Sequence, residues 1–286
     1  MNLDRIRSSV DVDTLQRSHV TVVGGAFGLA RDLVRTGVGA ITLVDFGVVK
    51  PQNPARQDFG AHDVGARKVD ATGRDLLQIN PDLELDLVAE DFCTIPRDSF
   101  DAHFGATDLF VLAPDQHPPN ARGNLEVLRL GKPAIWIGLY KGARAGEIIF
   151  HVPDVTPACY RCITGTRYAS FDAGTAAPES DGGTILDLRL VDAIAGQLAV
   201  GILTRGADNR FGKLVDALGS RNLLQIKIAH DYTLNERDIF AEQLGTRSSN
   251  FSFSTIAMEM QRDPKCPDCA RLHTHSHEEH PQTLLH

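Results

Sequence analysis

Residues 19–45 read HVTVVGGAFGLARDLVRTGVGAITLVD, and their order of strand, turn and helix signals decides the fold. HVTVV at 19–23 is a short β-branched run suited to a buried strand, and GGAFG at 24–28 turns the chain sharply at its end. LARDLVRT follows as a helix of little more than two turns, stopped by Gly37 and Gly39. AITLVDF then resumes strand character and sets Asp45 near its end. Strand, glycine turn, helix, and a second strand ending in an acid form the opening βαβ unit of a doubly wound, nucleotide-binding sheet. The turn does not complete G-x-G-x-x-G, because Ala26 and Leu29 hold the second and third glycine positions. Its small residues still let backbone N–H groups approach a phosphate at a helix N-terminus, which makes Gly24, Gly25 and Gly28 candidate phosphate-facing positions.

The alternation continues along the chain. Residues 63–79, DVGARKVDATGRDLLQI, have helical spacing with Val64, Val69, Leu76 and Leu77 as the expected buried stripe. DLELDLVAEDF alternates like a strand, DLFVLA is an apolar run leading to Asp115, and NARGNLEVLRLG reads as the next helix. PAIWIGLY and GEIIFHVP are further strands. The pattern predicts a parallel sheet with helices on both faces over residues 19 to about 140. Residues 163–184, rich in Gly, Ala, Thr, Ser and Asp, show no period and read as a mobile crossover segment. ILDLRLVDAIAGQLAVGIL at 185–203 is a strongly apolar helix expected to pack on the sheet, and NLLQIKIAHDYTL and NFSFSTIAMEM read as late strands. The expected organisation is one α/β domain over 1–272, a doubly wound and mainly parallel Rossmann-like sheet with late antiparallel strands. A polar tail follows at 273–286, whose His273, His275, His277 and His280 read as solvated.

Apolar residues are 42 % and charged residues 23 % of the 286, which excludes a disordered, collagenous or coiled-coil chain. Lys plus Arg is 29 against 37 for Asp plus Glu, a net charge of −8, so the surface repels phosphate backbones and nucleic acid is an unfavoured partner. No apolar run approaches a membrane span, and MNLDRIRSSVDVD lacks the apolar segment of a secretory signal. A soluble, cytoplasmic protein is expected. Four of the five cysteines form two C-x-x-C pairs, Cys159/Cys162 and Cys266/Cys269, which in a reducing compartment suggests thiolate metal ligands more than disulfides. Cys93 stands alone and reads as a buried structural thiol.

The stretch LVDFGVVKPQNPARQDFGAHDVGARK, residues 43–68, adds chemistry to the fold. Its acid suits ribose hydroxyls, and its Arg and Lys suit phosphates. This run resembles the ThiF/MoeB/HesA family, the E1-like enzymes that adenylate the C-terminal carboxylate of ubiquitin-like or sulfur-carrier proteins. GVGAITLVDF, NPARQ, DVGARK, LFVLAPDQ, ACYRC and CPDC carry the resemblance in order along most of the chain.

The resemblance implies a role for each matching position. Asp45 would bind the ribose. Asn53, Arg56 and Gln57 match N-x-x-R-Q, with Arg56 on the ATP phosphates. Lys68 would stabilise the phosphates and the adenylation transition state, and Asp115 would hold Mg2+ and orient the substrate carboxylate. Cys159, Cys162, Cys266 and Cys269 match a structural Zn2+ site with no open position. A small carrier protein ending in glycine would be the partner, and a homodimer would bring Arg5 or Arg7 to the other subunit's site. Residues 163–265 contain no cysteine, so the activated acyl group would stay an adenylate until an external nucleophile takes it. Three departures stand out: a glycine turn and helix two or three residues shorter than usual, Gly47 in place of a second acid, and Gln116 in place of an Asn. A catalytically degenerate scaffold that binds a partner protein, and an enzyme acting on a peptide or tRNA-linked carboxylate, are the alternative readings.

Overall fold

The computed structural model describes residues 1–175, 182–245 and 252–270. α1 (Val12–Arg17) is started by Asp11, whose carboxylate accepts from the Thr14 N–H. β1 (His19–Gly24), α2 (Phe27–Thr36) and β2 (Ala40–Val44) follow, and Gly37 closes α2 at φ 115°, a conformation that suits glycine. The chain continues through α3 (Lys68–Ile79), β3 (Glu84–Val88), α4 (Arg97–Phe104), β4 (Leu109–Ala113), α5 (His117–Leu130) and β5 (Ala134–Leu139). β6 (Ala145–His151), α6 (Tyr160–Ile163), α7 (Gly165–Asp172) and α8 (Ile185–Leu203) come next. α9 (Leu214–Leu218), β7 (Arg221–Lys227), α10 (Ile239–Leu244) and β8 (Thr255–Glu259) complete the described elements.

The strands form one eight-stranded sheet in the order β3-β2-β1-β4-β5-β6-β7-β8. β3 through β5 pair in parallel, and β6, β7 and β8 add to that edge antiparallel. This is the doubly wound, mainly parallel α/β sheet with late antiparallel strands that the sequence pattern predicts. Val20, Val22, Leu109, Phe110, Val111 and Leu112 are fully buried, as expected of central parallel strands covered on both faces. α8 packs on α2 and on β5 and β6 through Val191, Ala195 and Leu198. On the other face Phe92, Phe100, Phe104 and Phe110 form an aromatic cluster with ring centroids 4.5–6.3 Å apart along its contacts.

Three local expectations are corrected. The helical reading of 63–79 starts too early. The backbone before Lys68 bonds to the segment after β2, with Lys68 N–H donating to Gly47 O and Val48 bridging Arg67, so the helical phase begins only at Lys68. Val64 and Leu77 are exposed, and the buried face is Val69, Ala71, Thr72, Gly73 and Leu76. The helix after the glycine turn begins at Phe27 and is ten residues long, rather than little more than two turns. The crossover segment is helical over Gly165–Asp172, anchored by buried Tyr168 and by Thr164, whose hydroxyl donates to Tyr160 O. Residues 176–181 and the His-rich tail lie outside the described residues.

Phe100 is fully buried at the centre of the aromatic cluster. Phe100→Ala should therefore cost about 3–5 kcal/mol of unfolding free energy, read as a lower urea midpoint with an unchanged denaturant slope.

Candidate active site

β1 crosses over to β2 on one side and β4 crosses over to β5 on the other, so a crevice opens between their carboxyl ends. Gly24 ends β1 at φ +79°, and a Cβ there would lie 2.9 Å from the Pro114 N and Cα atoms that follow β4. Gly25 N–H donates to Ala113 O at 3.2 Å and ties the two loops together. The crevice widens into a cavity of about 790 Å³, lined by Gly24, Gly25, Asp45, Asn53, Arg56, Gln57, Lys68 and Asp115. Gly28 does not line it. A Cβ on Gly28 would sit 2.8 Å from Asp58 Oδ2 and 3.3 Å from Asp192 Oδ2, so this glycine makes room for two carboxylates against the first turn of α2. Ala26 caps α2 with no side-chain acceptor, which leaves the first N–H groups of the helix to a ligand or solvent.

Asp45 follows β2 and accepts the Gly47 N–H at 2.6 Å, while Lys68 Nζ stands 4.0 Å from its other oxygen. Both side chains are largely withdrawn from solvent. A side chain at position 47 would press on Asp45 Oδ1 at 2.9 Å, a steric reason for Gly47 where a second acid is expected. Asn53 builds the next loop: its Oδ1 accepts from Lys50 N–H, and its carbonyl accepts from the N–H groups of Arg56 and Gln57. Gln57 lies against Gly25, and its buried Oε1 has no partner among the described residues, an acceptor awaiting a donor.

Asp115 sits between β4 and α5. Asn120 braces the loop on either side of it, donating to Pro114 O and Gln116 O at 3.3 and 3.0 Å. Beyond Asp115 the wall is a polar network that sequence reasoning missed. Tyr140 donates to Glu147 Oε2 at 2.8 Å, Arg167 pairs with Glu147 Oε1 at 2.5 Å, and Gln225 donates to Tyr140 Oη at 2.9 Å. Burial pushes the Tyr140 hydroxyl up, reinforced by Glu147, and burial together with Arg167 pushes His117 down. Glu147 lies in a run legible only as a strand and Arg167 in a segment without a period, so neither carried a signal for the site. Asp192 carried one: it is an acid within the apolar run LVDAIAGQLAV.

The four paired cysteines converge, with sulfur atoms within 4.8 Å of one another and neighbouring Sγ atoms 3.6–3.7 Å apart. Tetrahedral zinc with Zn–S bonds of about 2.3 Å separates its ligands by roughly 3.8 Å, so the donor set fits that ion. Asn124 Nδ2 donates to Cys159 Sγ and to Asp268 Oδ2, and Asp263 N–H donates to Cys162 Sγ. Such hydrogen bonds orient thiolate ligands. Cys93 is half-buried, and burial pushes its thiol up, which disfavours a nucleophilic thiolate. Neither Arg5 nor Arg7 lines the cleft of its own chain, and Arg7 pairs with Asp13. No described helix is long and apolar enough to cross a membrane.

The class is therefore a doubly wound, mainly parallel α/β protein with a crevice at its switch point and a four-cysteine cluster. The chain belongs to the ThiF family, which matches residues 1–267. Among curated relatives it is 30 % identical over 175 residues to ubiquitin-like modifier-activating enzyme 5 of Bombyx mori, covering 57 % of this chain and 44 % of that one. To the enzyme of the same name in Caenorhabditis elegans it is 27 % identical over 185 residues, covering 59 % and 43 %. The chain thus spans less than half the length of these relatives. Among solved structures it resembles MccB of E. coli bound to ATP, with TM-score 0.63 and 20 % identity over 90 % of this chain and 68 % of that one. PaaA is similar at TM-score 0.57 and 16 % identity, covering 87 % and 74 %. These structural likenesses establish the fold.

Burial, with Asp32 and Asp58 nearby, pushes the Asp192 carboxyl up to about 7. An acid whose pKa is raised on folding binds more protons folded than unfolded, so its contribution to stability falls as pH rises from about 4 to about 7. Asp192→Asn should therefore stabilise the protein at pH 8 by on the order of 1–4 kcal/mol, and by much less at pH 4. Chemical denaturation at the two pH values checks this.

Proposed function

We propose that the chain is an ATP-dependent adenylyltransferase that activates the C-terminal carboxylate of a small ubiquitin-like or sulfur-carrier protein as an acyl-adenylate. The observation that carries this reading is the convergence of Asp45, Arg56, Lys68 and Asp115 on one cavity at the sheet's switch point. The ThiF membership and the activating enzymes among the relatives support it.

Joining a carboxylate to the α-phosphate of ATP brings two anions together, so the first barrier is electrostatic. Asp45, held in place by the Gly47 N–H, is oriented to accept from ribose hydroxyls. The open first turn of α2 and the cations Arg56 and Lys68 cancel phosphate charge as the transition state forms. Asp115, fixed by Asn120 at the head of α5, positions the carboxylate for attack. Asp115 would also hold Mg2+, which when bound would supply positive charge beside the phosphates. Cys159, Cys162, Cys266 and Cys269 would hold Zn2+ as a clamp, and a reducing cytoplasm keeps these thiols available. A homodimer that carries Arg5 or Arg7 to the other subunit's site completes the reading. With the Cys93 thiol disfavoured as a nucleophile, the acyl group stays an adenylate until an external nucleophile attacks it and AMP leaves.

Carrier-dependent exchange of pyrophosphate into ATP tests the reaction. Arg56→Ala and Lys68→Ala should each lower kcat ~10²–10³-fold, by analogy with removal of one oxyanion donor. Asp45→Ala should mainly raise the KM for ATP, since ribose contacts are similar in the ground and transition states. Exchange that survives Arg56→Ala and Asp115→Ala unchanged would refute the site. Binding of a carrier or peptide without any exchange would instead support a degenerate scaffold. Elemental analysis of fresh protein should find one zinc per chain, lost with a large fall in Tm in Cys266→Ser.

A further inference from the structure

Asp192 has no part in the chemistry described so far, yet it lines the same cavity as Gly24, Gly25 and Ala26. It projects from α8, its residue is only 9 % exposed, and its Oδ2 lies 3.3 Å from the point a Cβ on Gly28 would occupy. The carboxyl therefore lies over the first turn of α2, whose N–H groups have no side-chain cap. The charged groups that act on it are Asp32 from α2, Asp58 from the loop after Gln57, and Arg189 from its own helix, with Arg31 of α2 standing 4.0 Å from Asp58. Both arginines are committed elsewhere. Arg189 pairs with Asp58 Oδ1, and Arg31 pairs with Asp75 at 2.5 Å while donating to Asp58 O at 2.7 Å. Among the described residues, Asp192 is thus buried beside two carboxylates without a hydrogen-bonded cation.

An ionised carboxylate in this position would oppose an anion docking on the helix terminus, whereas a protonated one offers an O–H donor to it. We propose that Asp192 is a nucleotide-binding residue that works as a neutral carboxylic acid, donating to a phosphate oxygen at the first turn of α2, so that nucleotide binding takes up a proton. The assignment rests on the adenylation reading above. Burial and the two neighbouring acids push Asp192 up to about 7, which leaves about half of the molecules protonated at neutral pH. Above that pH each binding event draws a proton from solvent to this carboxyl.

The test is calorimetric titration with a magnesium-saturated, non-hydrolysable ATP analogue between pH 6 and pH 8.5, in buffers of different ionisation enthalpy. With magnesium bound, the terminal phosphate of the analogue stays deprotonated across this range. Wild-type affinity should fall roughly tenfold between pH 7 and pH 8.5, with uptake of close to one proton at pH 8. Asp192→Asn, whose amide donates at every pH, should bind with little pH dependence and no matching uptake, and Asp32→Asn should keep the linkage. Identical profiles for wild type and Asp192→Asn would overturn the proposal. So would linkage lost in Asp32→Asn instead, or affinity that rises with pH and is lost in Asp192→Asn, the behaviour of an ionised metal ligand. If Asp192→Asn does not fold, the buffer dependence of wild type decides, and binding without proton uptake sinks the idea. No binding of the analogue by wild type at any pH would refute the adenylation reading itself, a result distinct from binding without a proton.

Discussion

The contact between the ends of β1 and β4 is the constraint on which the site depends. Gly24 turns left-handed with its Cα face against the backbone of Pro114, and Gly25 N–H reaches Ala113 O. Any β-carbon at position 24 would push the two loops apart. Their closeness sets the N-terminus of α2 beside Asp115, so the groups that would meet a phosphate and those that would meet a carboxylate share one crevice. The parallel order β2-β1-β4 makes the crevice, and the glycine makes it narrow.

The fold was legible because its signals are local. A buried β-branched run, a glycine turn and an apolar helix each announce themselves within ten residues, and strands β1 to β5 follow from that alternation. The errors lie where nonlocal bonds override local spacing. Val64 falls in the stretch read as one helix with Val69, but pairing of the backbone around Gly47 with Arg67 and Lys68 delays the helix to Lys68, and Val64 is left exposed. The segment after Thr164 has no period of its own, and it is helical because Tyr168 packs against His117 and Tyr160. Of the residues that line the cleft, those within ordered motifs were legible in the sequence. Those that reach the cleft from distant elements, Glu147 on β6 and Arg167 on α7, were not, since their meaning exists only once the chain has brought them together.

The cleft carries its charges unevenly. Lys50, Arg56, Lys68 and Arg167 face Asp45, Glu90, Asp91, Asp115, Glu147 and Asp192 on the same lining. Glu147 is matched by Arg167, and Asp45 lies within reach of Lys68. A polyanion entering this space meets a surplus of acids, so binding requires that some of them be neutralised by a cation or a proton. In the function proposed above, a cation at Asp115 would supply the first, and a proton on the buried Asp192 the second.

The cysteine cluster shares its supporting elements with the cleft. Cys159 caps α6 and Cys162 lies within it, and the chain runs on into α7, which presents Thr166, Arg167, Ser170 and Phe171 to the cavity. Asn124 lies on α5, the helix whose first turn follows Asp115. It bonds Cys159 Sγ, the Tyr160 N–H and Asp268 together. Arg161 closes the ring by pairing with Asp268 and resting on Tyr168, whose ring packs on His117. The cysteine cluster therefore ties α5 to α7, two helices whose residues line the cleft. The zinc proposed above would bear on the cleft from this cluster without touching it, by bracing α7, where Arg167 pairs with Glu147, against α5, whose first turn follows Asp115.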